Sequence, residues 1–215
     1  MRKTCLLFDN DGTLVDSEYL CNLAIKQQFA ELGVNLDVDH LVEHYRGKKM
    51  ANILSILSSK HKVPIPDNFL PDYRERVAKL FEKQLKPIKN VELALSKLPQ
   101  QKAVVSNGPK FKIEHALRLC GLGQYFGERI FSAYDLDKYK PDPEIYLKVA
   151  KILGTKPQEC VVIEDSITGV MAGSQAGIST LFYNKTHEKH QLTNVTDFED
   201  MADLPQLIAN LPSAT

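Results

Sequence analysis

Residues 4–12 read Thr4-Cys5-Leu6-Leu7-Phe8-Asp9-Asn10-Asp11-Gly12. The first five form an apolar run without polar alternation. A strand with one wet face would alternate, so this run predicts a strand buried on both faces, as in a parallel sheet. It breaks at Asp-Asn-Asp-Gly, where short polar side chains can bond the backbone and glycine can take a positive φ. The stretch therefore delivers Asp9 and Asp11 to the carboxyl end of a buried strand.

The same pattern recurs downstream. Lys102-Ala103-Val104-Val105 runs into Ser106-Asn107-Gly108, and Cys160-Val161-Val162-Ile163 runs into Glu164-Asp165-Ser166. Shorter strands are predicted at 129–132 and 179–183. Helices are predicted at 91–98, 113–120, 143–153 and 168–176, three of them ended by Gly121, Gly154 and Gly177. Strands alternating with helices make a parallel α/β layer fold. Between Ser17 and Lys86 no strand pattern is found. Helical spacing ends at Gly33 and resumes over 38–45, 50–59 and 71–85, with Tyr73 and Phe81 on the apolar side of the last segment. The expected organisation is an α/β core from residues 1–16 and 87–215, with a helical unit from 17–86 inserted after the first strand.

The chain has 215 residues, room for a core plus a smaller unit. Lys+Arg and Asp+Glu are both 27, so the net charge of zero gives no broad attraction for nucleic acid or an anionic membrane. The apolar run at the N-terminus stops at Asp9, too early for a signal-peptide core, and no later stretch is long enough to span a bilayer. A cytoplasmic location is expected, and a monomer is favoured. Cys5, Cys21, Cys120 and Cys160 form no Cys-x-x-Cys pair and are expected to be reduced, mostly buried thiols. The six histidines are expected on surfaces and helix faces.

In an open parallel sheet, the carboxyl ends of the strands form the binding crevice. Asp9, Asp11, Ser106, Asn107, Glu164 and Asp165 should converge there. Packed carboxylates repel one another unless a cation joins them, and donors that are all oxygen favour a hard ion such as Mg²⁺. Such a site suits phosphoryl transfer, with Lys140 of the Lys140-Pro141-Asp142-Pro143 loop supplying further positive charge. Ser106 and the N–H groups after it can donate to phosphoryl oxygens. Singly, the motifs have plainer readings: Ser106-Asn107-Gly108 is a turn, and Glu164-Asp165-Ser166 is an N-cap cluster in which Ser166 or Asp165 caps the next helix.

Together they carry a resemblance. Asp9-Asn10-Asp11-Gly12-Thr13-Leu14-Val15-Asp16-Ser17, Val104-Val105-Ser106-Asn107-Gly108, Lys140-Pro141-Asp142-Pro143 and Glu164-Asp165-Ser166-Ile167-Thr168-Gly169 resemble, in order, the four signatures of the haloacid dehalogenase (HAD) superfamily. The resemblance implies a HAD-like Rossmannoid core with an inserted α-helical C1 cap and a Mg²⁺-dependent phosphatase. Asp9 would be the nucleophile and Asp11 the general acid, then base. Ser106, Asn107, Gly108 and Lys140 would hold the phosphoryl group. Asp9, Asp165, the Asp11 main-chain carbonyl and Glu164, directly or through water, would bind Mg²⁺. The helical insert would close over the crevice and choose the substrate, with Arg46 and Lys49 as its candidate contacts.

The overall pattern is similar to bacterial sugar-phosphate phosphatases of the 6-phosphogluconate phosphatase type and to β-phosphoglucomutase. A small phosphorylated metabolite is the expected partner. The mutases carry a histidine where Cys21 stands, which favours hydrolysis. A phosphonatase would need a Schiff-base lysine in the cap, and nothing singles one out. A dehalogenase would lack the carboxylate of Asp11. The reading of a different class is a metabolite-binding protein without catalysis, weakened because no catalytic position is substituted.

Overall fold

The computed structural model describes residues 3–45 and 48–212. In chain order the elements are β1 (Cys5–Phe8), α1 (Glu18–Glu31), α2 (Val38–Tyr45), α3 (Met50–His61), α4 (Phe69–Gln84), α5 (Val91–Lys97), β2 (Gln101–Ser106), α6 (Lys110–Leu119), β3 (Ile130–Ser132), α7 (Ala133–Leu136), α8 (Glu144–Ile152), β4 (Cys160–Glu164), α9 (Ile167–Gln175), β5 (Ser179–Tyr183), β6 (Val195–Phe198) and α10 (Leu204–Asn210). The chain divides into two compact units. One takes the residues up to Val15 with those from Pro87 onward, and the other is Asp16–Lys86.

The first unit is built on a six-stranded sheet in the order β3-β2-β1-β4-β5-β6, every neighbouring pair parallel. β1 and β4 are buried along their whole length, as their unbroken apolar runs require. On one face Cys5, Leu7, Ala103, Val105 and Val162 pack with Ile145, Tyr146 and Val149 of α8 and Ala172 of α9. The alternate residues Leu6, Phe8, Val104, Val161 and Ile163 are equally buried, and Phe8 meets Phe126 edge-on at 5.9 Å between ring centres. The chain builds β1, β2 and β3 to one side and then returns to lay β4 on the other side of β1. That reversal opens the crevice beyond the carboxyl ends of β1 and β4.

Three elements are not anticipated by sequence: α7, β6 and α10. In β6 only Phe198 is buried, because an edge strand needs one packed residue and tolerates polar ones elsewhere. α6 begins at Lys110, a turn earlier than the sequence pattern puts it, because none of its first three residues has a buried side chain to mark it. All four cysteines are free, Cys5 and Cys160 buried opposite one another on β1 and β4. No described helix is long and apolar enough to cross a membrane.

The second unit is a four-helix cluster, α1 to α4. Its core pairs residues one helical turn apart: Ile25 with Phe29, Leu41 with Tyr45, Ile53 with Leu57. Phe29 meets Phe69 edge-on at 5.5 Å. Phe81 is buried, and Tyr73 packs against the cluster as a partly covered ring. The guanidinium of Arg76 ties α4 to α1 through Gln28 Oε1 at 2.9 Å and Glu31 Oε1 at 2.5 Å. Lys49 is exposed just before α3, and Arg46 lies outside the described residues.

Candidate active site

Asp9 follows β1 directly and is buried. The turn after it depends on Gly12, whose φ of +83° suits glycine and whose α-carbon is so close to the Asp165 carboxylate that a β-carbon would overlap it. The hydroxyl of Thr13, fully buried, donates to Asp165 Oδ1 at 2.8 Å. The β1 turn and the end of β4 are thus locked together around the two aspartates.

Lys140 reaches in from the loop before α8. Its ammonium, almost fully buried, donates to Asp9 Oδ1 at 2.5 Å and to Glu164 Oε1 at 2.6 Å, and lies 5.5 Å from the centre of the Tyr146 ring. The loop is held by Asn107. Its side-chain oxygen accepts from the Lys140 N–H at 2.9 Å, and its amide donates to the Lys140 carbonyl at 3.3 Å.

Glu164 closes the cluster. Oε1 takes hydrogen bonds from Lys140 and from the Tyr146 hydroxyl at 3.1 Å. Oε2 takes them from the Asp165 N–H at 3.0 Å, the Ser166 N–H at 3.1 Å and the Ser166 hydroxyl at 3.0 Å. Ser166 also caps α9, accepting from the Gly169 N–H at 3.2 Å. A carboxylate in this place gains from the positive end of α9. Gly169 leaves the room for it, since a β-carbon there would coincide with the carboxylate of Glu164.

On the other flank, Ser106 ends β2 with its Oγ accepting from the Gly108 N–H at 3.0 Å. The buried Ser132 pins this turn by donating to the Gly108 carbonyl at 2.7 Å. Asp11 stands beside it and is bound through Oδ1 by Lys112 of α6 at 2.8 Å.

Oxygens of Asp9, Glu164 and Asp165 lie within 4.8 Å of one another, all three residues buried. Burial, reinforced by Glu164, Asp165 and Asp11, pushes the Asp9 carboxyl well above the ordinary carboxylate range against the pull of Lys140. Burial also works against the Lys140 ammonium, but Asp9 and Glu164 together hold its proton more tightly than in a free lysine. Both shifts have one meaning: a single ammonium does not balance the acids around it.

Of the residues the sequence nominated, the structure brings together Asp9, Asp11, Ser106, Gly108, Lys140, Glu164 and Asp165. The Asn107 side chain is spent on the Lys140 main chain. Lys49 belongs to the other unit. Lys112, Thr13 and Tyr146 were missed. Thr13 lies inside the first signature and Tyr146 inside the helix predicted over 143–153, neither with a role at the site, and Lys112 lies in the helical turn that the sequence pattern left out.

A family model described as haloacid dehalogenase-like hydrolase matches residues 6–183. The 6-phosphogluconate phosphatase of Escherichia coli (strain K12) is 32% identical over 209 residues, covering 96% of this chain and 95% of that one. A phosphoglycolate phosphatase of Aquifex aeolicus (strain VF5) is 29% identical over 176 residues, 81% of this chain and 82% of that one. Among solved structures, a conserved haloacid dehalogenase-like protein of unknown function from Agrobacterium tumefaciens str. C58 superposes with a TM-score of 0.80 at 29% identity, covering 96% and 97% of the two chains.

Proposed function

The chain belongs to the haloacid dehalogenase-like hydrolase family and is a phosphoric monoester hydrolase, and from that premise we propose a mechanism and a substrate class. The enzyme is Mg²⁺-dependent, works through an aspartyl phosphate on Asp9, and acts on a small sugar phosphate or phosphorylated sugar acid, 6-phosphogluconate foremost. The observation that carries the reading is the buried group of Asp9, Glu164 and Asp165 with Lys140 set against Asp9.

The donor set fits Mg²⁺, because it is all oxygen and short of positive charge. Asp9, Asp165 and the Asp11 main-chain carbonyl would hold the ion. Glu164 would reach it through water, since its two oxygens already take five hydrogen bonds from the protein. When bound, the ion supplies positive charge to the phosphoryl oxygens and favours the ionised form of Asp9.

A carboxylate oxygen of Asp9 attacks phosphorus as the bond to the substrate alcohol breaks. The Asp11 carboxyl gives its proton to the departing oxygen. Asp11, now a carboxylate, takes a proton from water, whose oxygen attacks phosphorus. The bond to Asp9 breaks, inorganic phosphate leaves, and both aspartates return to their starting states. Lys140 and the Ser106 hydroxyl hold the phosphoryl oxygens; because Ser106 Oγ already accepts from Gly108, its own O–H is left to donate. Substrate choice is assigned to Lys49 and Arg46 of the inserted unit, from its place in the chain. Cys21, where a mutase would carry histidine, supports hydrolysis over return of the phosphoryl group.

The test is phosphate release from 6-phosphogluconate and p-nitrophenyl phosphate, with Mg²⁺ and with a chelator. Asp9→Asn is expected to lose at least ~10³-fold in kcat on both substrates, and chelation to abolish wild-type turnover reversibly. Substantial turnover by Asp9→Asn, with deamidation excluded, would refute the covalent route.

A further inference from the structure

Lys112 has no place in the mechanism above, yet its ammonium is 2.8 Å from Asp11 Oδ1. We propose that Lys112 is a positioning residue that determines which oxygen of Asp11 handles the proton. This rests on the assignment of Asp11 as acid and base.

The pair differs from the exposed ion pairs of this chain. The side chains of Lys112 and Asp11 are 22% and 18% exposed, against 67% and 66% for Lys79 and Glu75, and 47% and 52% for Lys110 and Glu114. Solvent screens the latter two heavily and the former much less. Helix energetics do not account for the lysine either. Lys112 sits in the first turn of α6, which holds no acid, and the positive end of a helix disfavours a cation there. Its neighbour Ile113 is fully buried, so the turn that carries Lys112 is anchored in the core.

The geometry divides the two oxygens of Asp11. Oδ1 goes to Lys112. Oδ2 is turned toward Gly108: a β-carbon there would stand 3.6 Å from Asp11 Oδ2 and 3.4 Å from Ser106 Oγ. Ser106 is the proposed phosphoryl ligand, so Oδ2 is the oxygen on the side of the reacting group. A carboxylate is planar, and fixing one oxygen from the chain that also carries Ser106 sets the direction of the other. One stretch, residues 106–112, thus places both a phosphoryl donor and the tether of the acid. Ser132 holds that stretch in place through the Gly108 carbonyl.

The experiment compares wild type with Lys112→Met, Lys112→Arg and Asp11→Asn, using 6-phosphogluconate and glucose 6-phosphate as alkyl esters and p-nitrophenyl phosphate as an aryl ester. Nitrophenolate leaves with little help from an acid, whereas an alkoxide needs the proton. In single turnovers, Lys112→Met should slow cleavage of the alkyl esters at least ~10-fold more than that of the aryl ester, with KM for the alkyl esters within about threefold of wild type. Lys112→Arg should restore a large part of the loss, because it keeps a cation on Oδ1. Circular dichroism and Tm of each variant check that it folds.

Three results would overturn the proposal: equal losses on alkyl and aryl esters, a rise in KM at unchanged kcat (a substrate-binding lysine), or no change at all (an ion pair without a role). Asp11→Asn separates this from the mechanism itself. If that variant keeps wild-type rates on alkyl esters, the assignment of Asp11 fails whatever Lys112 does.

Discussion

Asn107 spends both ends of its side-chain amide on the main chain of Lys140. Lys140 must bring a buried ammonium to Asp9 and Glu164 from a loop, and a loop by itself would leave that long side chain many conformations. Asn107 removes that freedom without touching the ammonium. Asn107→Ala should therefore lower kcat about tenfold while leaving KM within about threefold. Steady-state kinetics on 6-phosphogluconate check it. A dominant effect on KM would return Asn107 to the phosphate-binding role that its place in the sequence suggests.

At the scale of the element, α9 carries two duties at one end. Ser166 caps the helix and also binds Glu164 Oε2, while Gly169 makes room for that carboxylate. Ser166→Ala loses a cap, which costs about 1 kcal/mol, and also one of the bonds to a fully buried acid. Gly→Ala within an exposed helix normally stabilises. Here Gly169→Ala must displace Glu164 from Lys140 and Tyr146, so it should be the more damaging of the two. Thermal melts are expected to show a Tm lowered by ~2–4 °C for Ser166→Ala and by more for Gly169→Ala. A Gly169→Ala protein as stable and active as wild type would mean that Glu164 is not held where the structure has it.

For the whole molecule, the unbalanced charge of the site couples stability to pH. The Asp9 carboxyl is pushed well above its ordinary value of 3.8, chiefly by burial. The folded protein then keeps a proton that the unfolded chain has released. Its stabilising contribution is complete below 3.8 and is lost as pH rises through the folded value. Surface acids such as Asp200, held low by the Asn90 amide and the Ala202 N–H, act oppositely, their contribution being lost only as pH falls below the ordinary value. With a chelator present, Tm should therefore decline between about pH 5 and pH 8. If Mg²⁺ binds as proposed and displaces that proton, adding it should raise Tm, and the increment should grow with pH. Fluorimetric melts across that range are the measurement. An increment that does not vary with pH would place the ion elsewhere.

What could be read from the chain alone was whatever follows from local pattern. Short apolar runs ending in Asp-Asn-Asp-Gly, Ser-Asn-Gly and Glu-Asp-Ser are short-range signals that gave the parallel core and the carboxylates at the strand ends, and helical spacing without a strand pattern marked the insert. The rest depended on pairings across large sequence separations, which leave no periodic trace. Thr13 reaches Asp165 over 152 positions, Lys112 reaches Asp11 over 101, and Asn107 meets Lys140 over 33. β6 escaped notice for a related reason: an edge strand is formed by its neighbour β5 and needs little apolar pattern of its own. Sequence supplied the groups that can do chemistry. Only the tertiary structure decided which groups hold them still, because that choice is made by proximity in the folded core.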